Sequence, residues 1–418
     1  MSDPAFRDRA IEWVEASDLR VIVVVMAALY VIFGGFSLVF GLDFNGTVST
    51  LERVTFFAIV YALVTLALNL QWGYAGLFNI GIAGFMAISV YTMSILTMQV
   101  GLPYPVGALA GILAAALFGA LVALPALRLR ADYLAIVTLA FAEIVRSILS
   151  SQRYSEITVG GYDLGFGGAT GPDSPPDVLR LFIYEEPSNA ASATNALGDA
   201  YFALFSPFAV DDSTAEGILY VLVLLVFLAL FYLLLTRVGN SPFGRVLKAV
   251  REDETVARAL GKDTRVFKIK AFALGSALMG LAAILWYLKR GGVRPDNFLP
   301  ETTFFIFVAL IIGGAGSNTG SVVGGAVFGG LLFQGPVFVE RIANQRLDVS
   351  GNPSTVFDAF TGVDPFLAYT IDNISSLRVV LLGVVLIYLI QRRPEGLLGD
   401  RKEVASGIDL EQRSGGEN

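Results

Sequence analysis

The chain has 418 residues, of which 55% are hydrophobic and only 16% charged. A soluble core cannot absorb that much apolar surface without large exposed patches, whereas a bilayer can. The absence of cysteine and histidine removes disulfides, thiol nucleophiles, imidazole bases and the usual zinc, haem and iron–sulfur ligands, so no cofactor is expected, and a net charge of −7 argues against nucleic acid as a partner.

Residues 1–20 mix acidic and basic side chains and read as a cytoplasmic N-terminal segment. The first span follows at Val21–Phe40. Thirteen of its residues are Val, Ile, Leu or Phe, which favours insertion by about 5 kcal/mol. It is longer than a signal-peptide core, and no small-residue cleavage site follows it. Further apolar runs lie at Val54–Leu70, Tyr74–Met98, Pro103–Leu124, Tyr133–Leu149, Ile218–Leu235, Ala271–Leu288, Phe304–Gly313, Val322–Phe338 and Val379–Ile390. The pattern predicts an all-α integral membrane protein with about ten transmembrane helices spread over 21–397. The eighth run is short and ends in glycine. With the ninth it predicts a tight hairpin or a re-entrant pair, allowed at membrane depth only when buried in protein.

Lysine and arginine set the orientation. The connection 237–270 holds nine basic and four acidic residues, and basic residues also mark Arg128, Arg130 and the stretch after the last span. All three fall on one side if both termini are cytoplasmic. The other side receives 152–216, with two basic and ten acidic residues, and 339–377. Both are rich in turn-forming residues and read as extracytoplasmic loops. Lys289, Arg290 and Arg294 fall on that outer side and run against the rule. Residues 398–418 read as a disordered cytoplasmic tail.

Glycines crowd two places. Gly73, Gly76, Gly81 and Gly84 open the third span, and eight more lie between Gly313 and Gly330. The spacings Gly316/Gly320 and Gly325/Gly329 suit close helix packing, and such clusters also suit broken helices that expose backbone to a pathway. Segments 54–98 and 304–338 both run apolar, glycine-rich turn, apolar, the pattern of a diverged repeat. Charge inside spans is confined to Glu143 and Arg146, one turn apart on the fifth. They read as a structural pair or as pathway residues. One pair without histidine does not make a proton relay, and no phosphate-binding G-x-x-x-x-G-K-[ST] loop occurs.

The connection 237–270 is the most informative stretch. Ser241-Pro242 is an N-cap followed by proline at the first helical position. Asp253 caps a second short helix that runs through Leu260, and Gly261 supplies the stop. Val256, Ala257 and Leu260 share a face of that helix. They are expected to be apolar residues with nothing of their own to bury, docking on a cytoplasmic partner or lying on the membrane surface.

These residues carry a resemblance. Gly244 to Glu254 (GRVLKAVREDE), followed by Ala259-Leu260-Gly261, resembles the cytoplasmic coupling segment of branched-chain amino acid ABC transporter permeases of the LivM type. Asn69-Leu70 with Gly73-Tyr74-Ala75-Gly76, the run Leu127 to Thr138 (LRLRADYLAIVT) with Glu143 to Arg146 (EIVR), Gly313 to Ser317 (GGAGS) and Arg393 to Leu397 (RPEGL) are similar to further signatures of that family, in order along the chain. Leu77 stands where the family usually has glutamine, the usual nearby histidine is missing, and both outer loops look longer than is typical. The resemblance implies an importer subunit that hydrolyses nothing itself. Its implied partners are a homologous second permease, two cytoplasmic ATP-binding subunits, an extracytoplasmic substrate-binding protein and the lipid bilayer. The family also serves urea and short-chain amides, and its superfamily sugars. An ion-coupled secondary transporter is the rival class. The candidate coupling residues are Arg251, Glu252, Asp253, Val256, Ala257, Leu260 and Gly261. Candidate pathway or buried polar residues are Asn69, Tyr74, Asn79, Thr138, Glu143 and Arg146.

Overall fold

The computed structural model describes residues 17–126, 131–175, 177, 179–186, 193–290, 292–346, 355–393 and 395–398. Most of the expected N-terminal segment, the 127–130 part of the quoted motif, residue 394 and nearly all of the expected tail lie outside them.

The chain is an all-α integral membrane protein, with one two-residue strand pairing among the described residues. Helix α1 (Asp18–Val39) is followed by α2 (Phe44–Leu68), which runs on through a π-helical turn, Asn69–Tyr74. After an irregular stretch come α3 (Ile82–Ser94), α4 (Tyr104–Ala126) and α5 (Ala131–Ser150). The acidic connection then leads to α6 (Asp212–Asn240). Two short helices, α7 (Pro242–Glu252) and α8 (Glu254–Ala259), precede α9 (Thr264–Tyr287). The chain ends with α10 (Pro300–Gly313), α11 (Asn318–Ala326) continuing through Val327–Phe333, α12 (Gln334–Arg346), α13 (Val363–Asp372) and α14 (Ile374–Arg392). Among the described residues nine helices are long and apolar enough to cross a membrane, and the tenth expected span appears as a shorter apolar stretch, Arg378–Leu389, inside α14.

Helix α2 is the axis of the bundle. Its residues from Ala58 to Tyr74 are almost all buried, apolar side chains on every face, as a helix enclosed by other helices requires. Its two ends are tied to opposite ends of the bundle. Near the start, Asn45 Nδ2 donates to Asp211 Oδ2 at 2.8 Å, beside the acidic connection. At the finish, the Gly73 carbonyl accepts from Arg251, in the basic connection. These contacts define an acidic end and a basic end of the molecule.

Glycine determines how closely the helices approach α2. A Cβ on Gly325 would lie 2.4 Å from the backbone of Ala62, and one on Gly329 2.3 Å from the Phe57 carbonyl oxygen. The GxxxG spacing therefore seats α11 directly on α2, where dispersion forces rather than hydrophobic transfer hold helices together. Thr65 Oγ1 donates across the contact to the Ser321 carbonyl at 2.9 Å. Above it, Tyr61 meets Trp286 and Phe328 with ring centroids 5.0 and 4.8 Å apart. Pairs of this kind each add about 1 kcal/mol beyond their buried area.

The short eighth run predicted a tight hairpin or a re-entrant pair with the ninth, and α10 and α11 are joined by a short turn, 314–317. That turn is closed from a distance in sequence. The backbone N–H groups of Leu397 and Leu398 donate to the Ile312 and Gly313 carbonyls at 2.8 and 3.1 Å. Gly396, at φ +85°, lies against Gly314, where a Cβ would come within 2.6 Å of backbone. The motifs that begin at Gly313 and Arg393 meet here, at a helix end whose orphaned carbonyls are satisfied by residues that follow the last helix.

Among the described residues, the two segments expected to be extracytoplasmic are more helical than their turn-rich composition predicts. Helix α12 runs through 339–346 and α13 occupies part of the remainder. Residues 152–216 contain a two-residue antiparallel pairing, Thr158–Val159 with Tyr162–Asp163, and a helix at Ala196–Ala203.

Candidate functional site

Two broken hairpins meet near the basic end. The first is the α2–α3 connection, irregular between Ala75 and Gly81, and the second is the α10–α11 turn. Asn69 joins them: its Oδ1 accepts from the Gly316 backbone N–H at 2.7 Å, and its Nδ2 donates to Asn318 Oδ1 at 3.2 Å. Gly73 lies so close that a Cβ there would fall 2.7 Å from the Gly316 nitrogen. Gln71 Nε2 donates to the Phe272 carbonyl on α9 at 2.9 Å, and Gln71 Oε1 accepts from Asn79 Nδ2 at 2.8 Å. Asn79 Oδ1 accepts from the Gly81 N–H at 2.8 Å. The unwound backbone then finds two hydroxyls. Thr138 Oγ1 accepts from the Ile80 N–H at 3.0 Å, and Thr303 Oγ1 from the Ala83 N–H at 3.1 Å. Backbone freed from a helix inside a dry bundle must be satisfied in this way.

Three of the candidate pathway or buried polar residues, Asn69, Asn79 and Thr138, are thus fully buried and gathered at one junction, and Tyr74 is fully buried next to Gly73. Glu143 and Arg146 are not part of it. They pair with each other at 2.5 and 2.9 Å on α5, Arg146 also lies 3.8 Å from Asp296, and both side chains keep some exposure. The pair is a local clamp on the α5 surface. Gln71, Thr303, Ser276 and Asn318 belong to the junction and were not singled out from sequence. Gln71 carries the one available signal, an amide two residues past Asn69 in an otherwise apolar helix.

The connection 237–270 is organised as its caps predict. Ser241 Oγ accepts from the Gly244 N–H at 3.2 Å, and Asp253 Oδ1 accepts from Thr255 and Val256 at 2.8 and 3.1 Å. Gly261, at φ +77°, ends α8, with the Lys262 N–H bonded back to the Ala257 carbonyl at 3.2 Å. The apolar face needs correction. Ala257 is 2% exposed and packs within its own chain, while Val256 and Leu260 are 55% and 73% exposed. The face of α8 that has nothing of its own to bury is Val256 and Leu260. Arg251 also differs from expectation. Its guanidinium turns inward to the Gly73 carbonyl, the last turn of α2, and its side chain lies against Gly76, which sits at φ +67°. Lys248, 3% exposed, places Nζ 5.1 Å from the centre of the Tyr74 ring.

Glu254 holds α8 in place. It accepts from Lys268 Nζ at 2.5 Å, Arg258 Nη2 at 2.6 Å and Thr264 Oγ1 at 2.9 Å. Burial pushes its carboxyl up, but the combined hydrogen bonds from Lys268, Arg258 and Thr264 outweigh it and bring it down to about 2. A carboxyl lowered on folding stabilises at pH above its unfolded value of about 4.3 and loses that contribution as pH falls through about 2. The clamp is therefore constant over the physiological range. Glu254→Gln removes the charge-assisted bonds, worth about 2 kcal/mol, and is expected to speed amide hydrogen exchange in residues 254–259 by about 30-fold at pH 7. Unchanged exchange would show that α8 is held by Ala257 packing alone.

Residues 50–389 match the family described as branched-chain amino acid transport system / permease component. The chain belongs to that family. It is 37% identical over 265 residues to the Escherichia coli high-affinity branched-chain amino acid transport system permease protein LivM, which covers 62% of this chain and 57% of that protein. The Salmonella typhimurium protein of the same name is also 37% identical, over 262 residues and the same shares. A probable branched-chain amino acid transport permease protein LivM from Methanocaldococcus jannaschii is 29% identical over 299 residues, 63% of this chain and 75% of that one. The match thus spans little more than half of the two enterobacterial relatives. No solved structure matches the chain. The junction of broken helices and the capped basic connection are two places where sequence motif and geometry coincide.

Proposed function

We propose that the chain is the membrane permease subunit of an ATP-driven importer for branched-chain amino acids, resident in the cell membrane and not itself an enzyme. The basic end faces the cytoplasm, with both termini, and the acidic end faces outward. The chain forms half of a translocation pathway with a homologous second permease. Two cytoplasmic ATP-binding subunits dock on the basic end, and an extracytoplasmic binding protein delivers substrate to the acidic end. No metal or cofactor is required of this chain. Within it, 241–263 is the coupling element between spans, and the junction around Asn69, Asn79 and Thr138 is the part of the pathway that moves.

The observation that carries this reading is the pairing of an outward apolar face with an inward cation on one short connection. Val256 and Leu260 point away from the chain, while Arg251, one turn before α8, is bound to the broken end of α2. An element that touches both a partner and the discontinuous helix suits transmission of force from subunits that hydrolyse ATP. Apolar recognition of a short helix in a groove is a common docking mode.

Reconstitution tests it. Liposomes carrying the assembled complex and its binding protein are expected to accumulate leucine only with ATP inside the ATPase-accessible compartment. The permease chains alone are expected to accumulate none. Leucine accumulation by the permease chains without ATPases, driven by an ion gradient, would replace this reading with secondary transport.

A further inference from the structure

At the acidic end, away from the junction, a cavity of about 380 Å³ is lined by Ser49, Glu52, Arg53, Phe56 and Phe57 of α2, Ser213 and Thr214 of α6, and Lys289 just beyond α9. We propose that this cavity binds the zwitterionic head of an α-amino acid, with Glu52 receiving the ammonium, Lys289 and Arg53 receiving the carboxylate, and Phe56 and Phe57 flanking the aliphatic side chain. The inference rests on the proposed function and adds to it a place where substrate is held.

The charge arrangement argues for a zwitterion. Glu52 and Lys289 form an ion pair across the cavity wall, with side chains only 8% and 25% exposed. Room for the pair is left by Gly217 of α6, where a Cβ would lie 2.7 Å from the Glu52 carboxylate and 3.0 Å from Lys289 Nζ. Lys289 Nζ also sits 5.1 Å from the Phe56 ring centre and 5.7 Å from that of Tyr220. A lone cation or anion would meet both signs of charge here and gain little. A zwitterion can exchange its own two charges for the two already paired, so that neither protein charge is left buried and uncompensated. The aromatic walls supply what a free ion would not need, an apolar surface beside the charges.

The position is consistent with a holding site rather than a structural pair alone. Lys289 is one of the cations that break the charge asymmetry of the chain, and it lies on the side where substrate would arrive. Asp177 and Glu216 act electrostatically in the same neighbourhood, and burial pushes the Asp177 carboxyl up to about 6. The cavity also opens on α2, the helix whose other end carries the Asn69 junction and the Arg251 contact.

The test uses the assembled membrane complex in nanodiscs without binding protein, probed by saturation-transfer NMR with L-leucine, 4-methylpentanoate and isoamylamine. Leucine is expected to give the strongest transfer, because each analogue lacks one of the two charges. Ser49→Phe, which fills the cavity from the α2 side and leaves both charges in place, and Glu52→Gln are each expected to lower leucine transfer at least fivefold, in complexes that still elute as one assembled species. They should raise the half-saturating leucine concentration for ATP-dependent uptake by a similar factor. Absence of leucine uptake by the complete wild-type system removes the proposed function and this inference with it. Wild-type uptake together with unchanged leucine transfer and half-saturation in both variants overturns the inference alone, as does equal transfer to all three probes.

Discussion

Val256→Glu is expected to yield a normally inserted permease that neither retains ATP-binding subunits nor transports. Val256 is 55% exposed on α8, so a glutamate there disturbs nothing in the isolated chain, and surface substitutions of this kind usually change stability by less than about 0.5 kcal/mol. The spans keep their apolar runs and insert as before. Docking is different. An unpaired carboxylate carried into an apolar groove costs about 3–5 kcal/mol, equivalent to a loss of roughly 10²- to 10⁴-fold in affinity. Leu260→Glu should behave alike, because Leu260 is more exposed still, at 73%. Co-purification with the ATPases on an affinity tag, alongside ATP-dependent leucine uptake, reads the result. Wild-type retention and uptake in both variants would show that α8 docks on nothing. Ala257→Glu is not an equivalent probe. Ala257 is 2% exposed, so a charge there breaks the packing of α8 on its own chain before any partner is involved.

The Ala257 case shows where sequence patterning stops. Helical period places Val256, Ala257 and Leu260 on one face, but Ala257 lies at its buried edge and the other two at its exposed edge. The period does not say which edge of that face the rest of the chain covers. That depends on the tilt of α8, which is set by Glu254 reaching Lys268 and Thr264 on α9. Caps were legible because they are local: Ser241, Asp253 and Gly261 each act within a few residues. The spans were legible because a bilayer demands long apolar runs, and the broken helices because glycine clusters mark close approaches. What a broken helix touches was not legible. Asn69 meets Gly316 and Asn318 across about 250 residues of sequence, and Glu52 meets Lys289 across 237. From sequence Lys289 is merely a cation on the wrong side. Likewise the motifs at 313–317 and 393–397 read as separate signatures until Leu397 and Leu398 are seen closing the α10 helix end.

Arg251→Ala is expected to uncouple the complex rather than dismantle it. The guanidinium donates to the Gly73 carbonyl at the frayed end of α2, where helical carbonyls carry partial negative charge and lack helical partners. Such a charge-assisted bond is worth about 2 kcal/mol. Val256 and Leu260 are untouched, so the ATPases should stay bound and continue to hydrolyse ATP. What is lost is the link between α7 and the π-helical turn Asn69–Tyr74, which on the proposed reading carries a displacement of the connection to the junction. If that link biases the junction between two arrangements, losing about 2 kcal/mol lowers the fraction of hydrolysis events that reach it by roughly 30-fold. Lysine in its place keeps the charge but not the planar fork, and should recover only part of the loss. Lys248 remains against Tyr74 in each case, so the junction itself is expected to stay folded. The decisive quantity is leucine transported per ATP hydrolysed in proteoliposomes. A ratio equal to wild type in Arg251→Ala would place the transmission of force elsewhere, while a fall in both hydrolysis and retention would make Arg251 a docking residue after all.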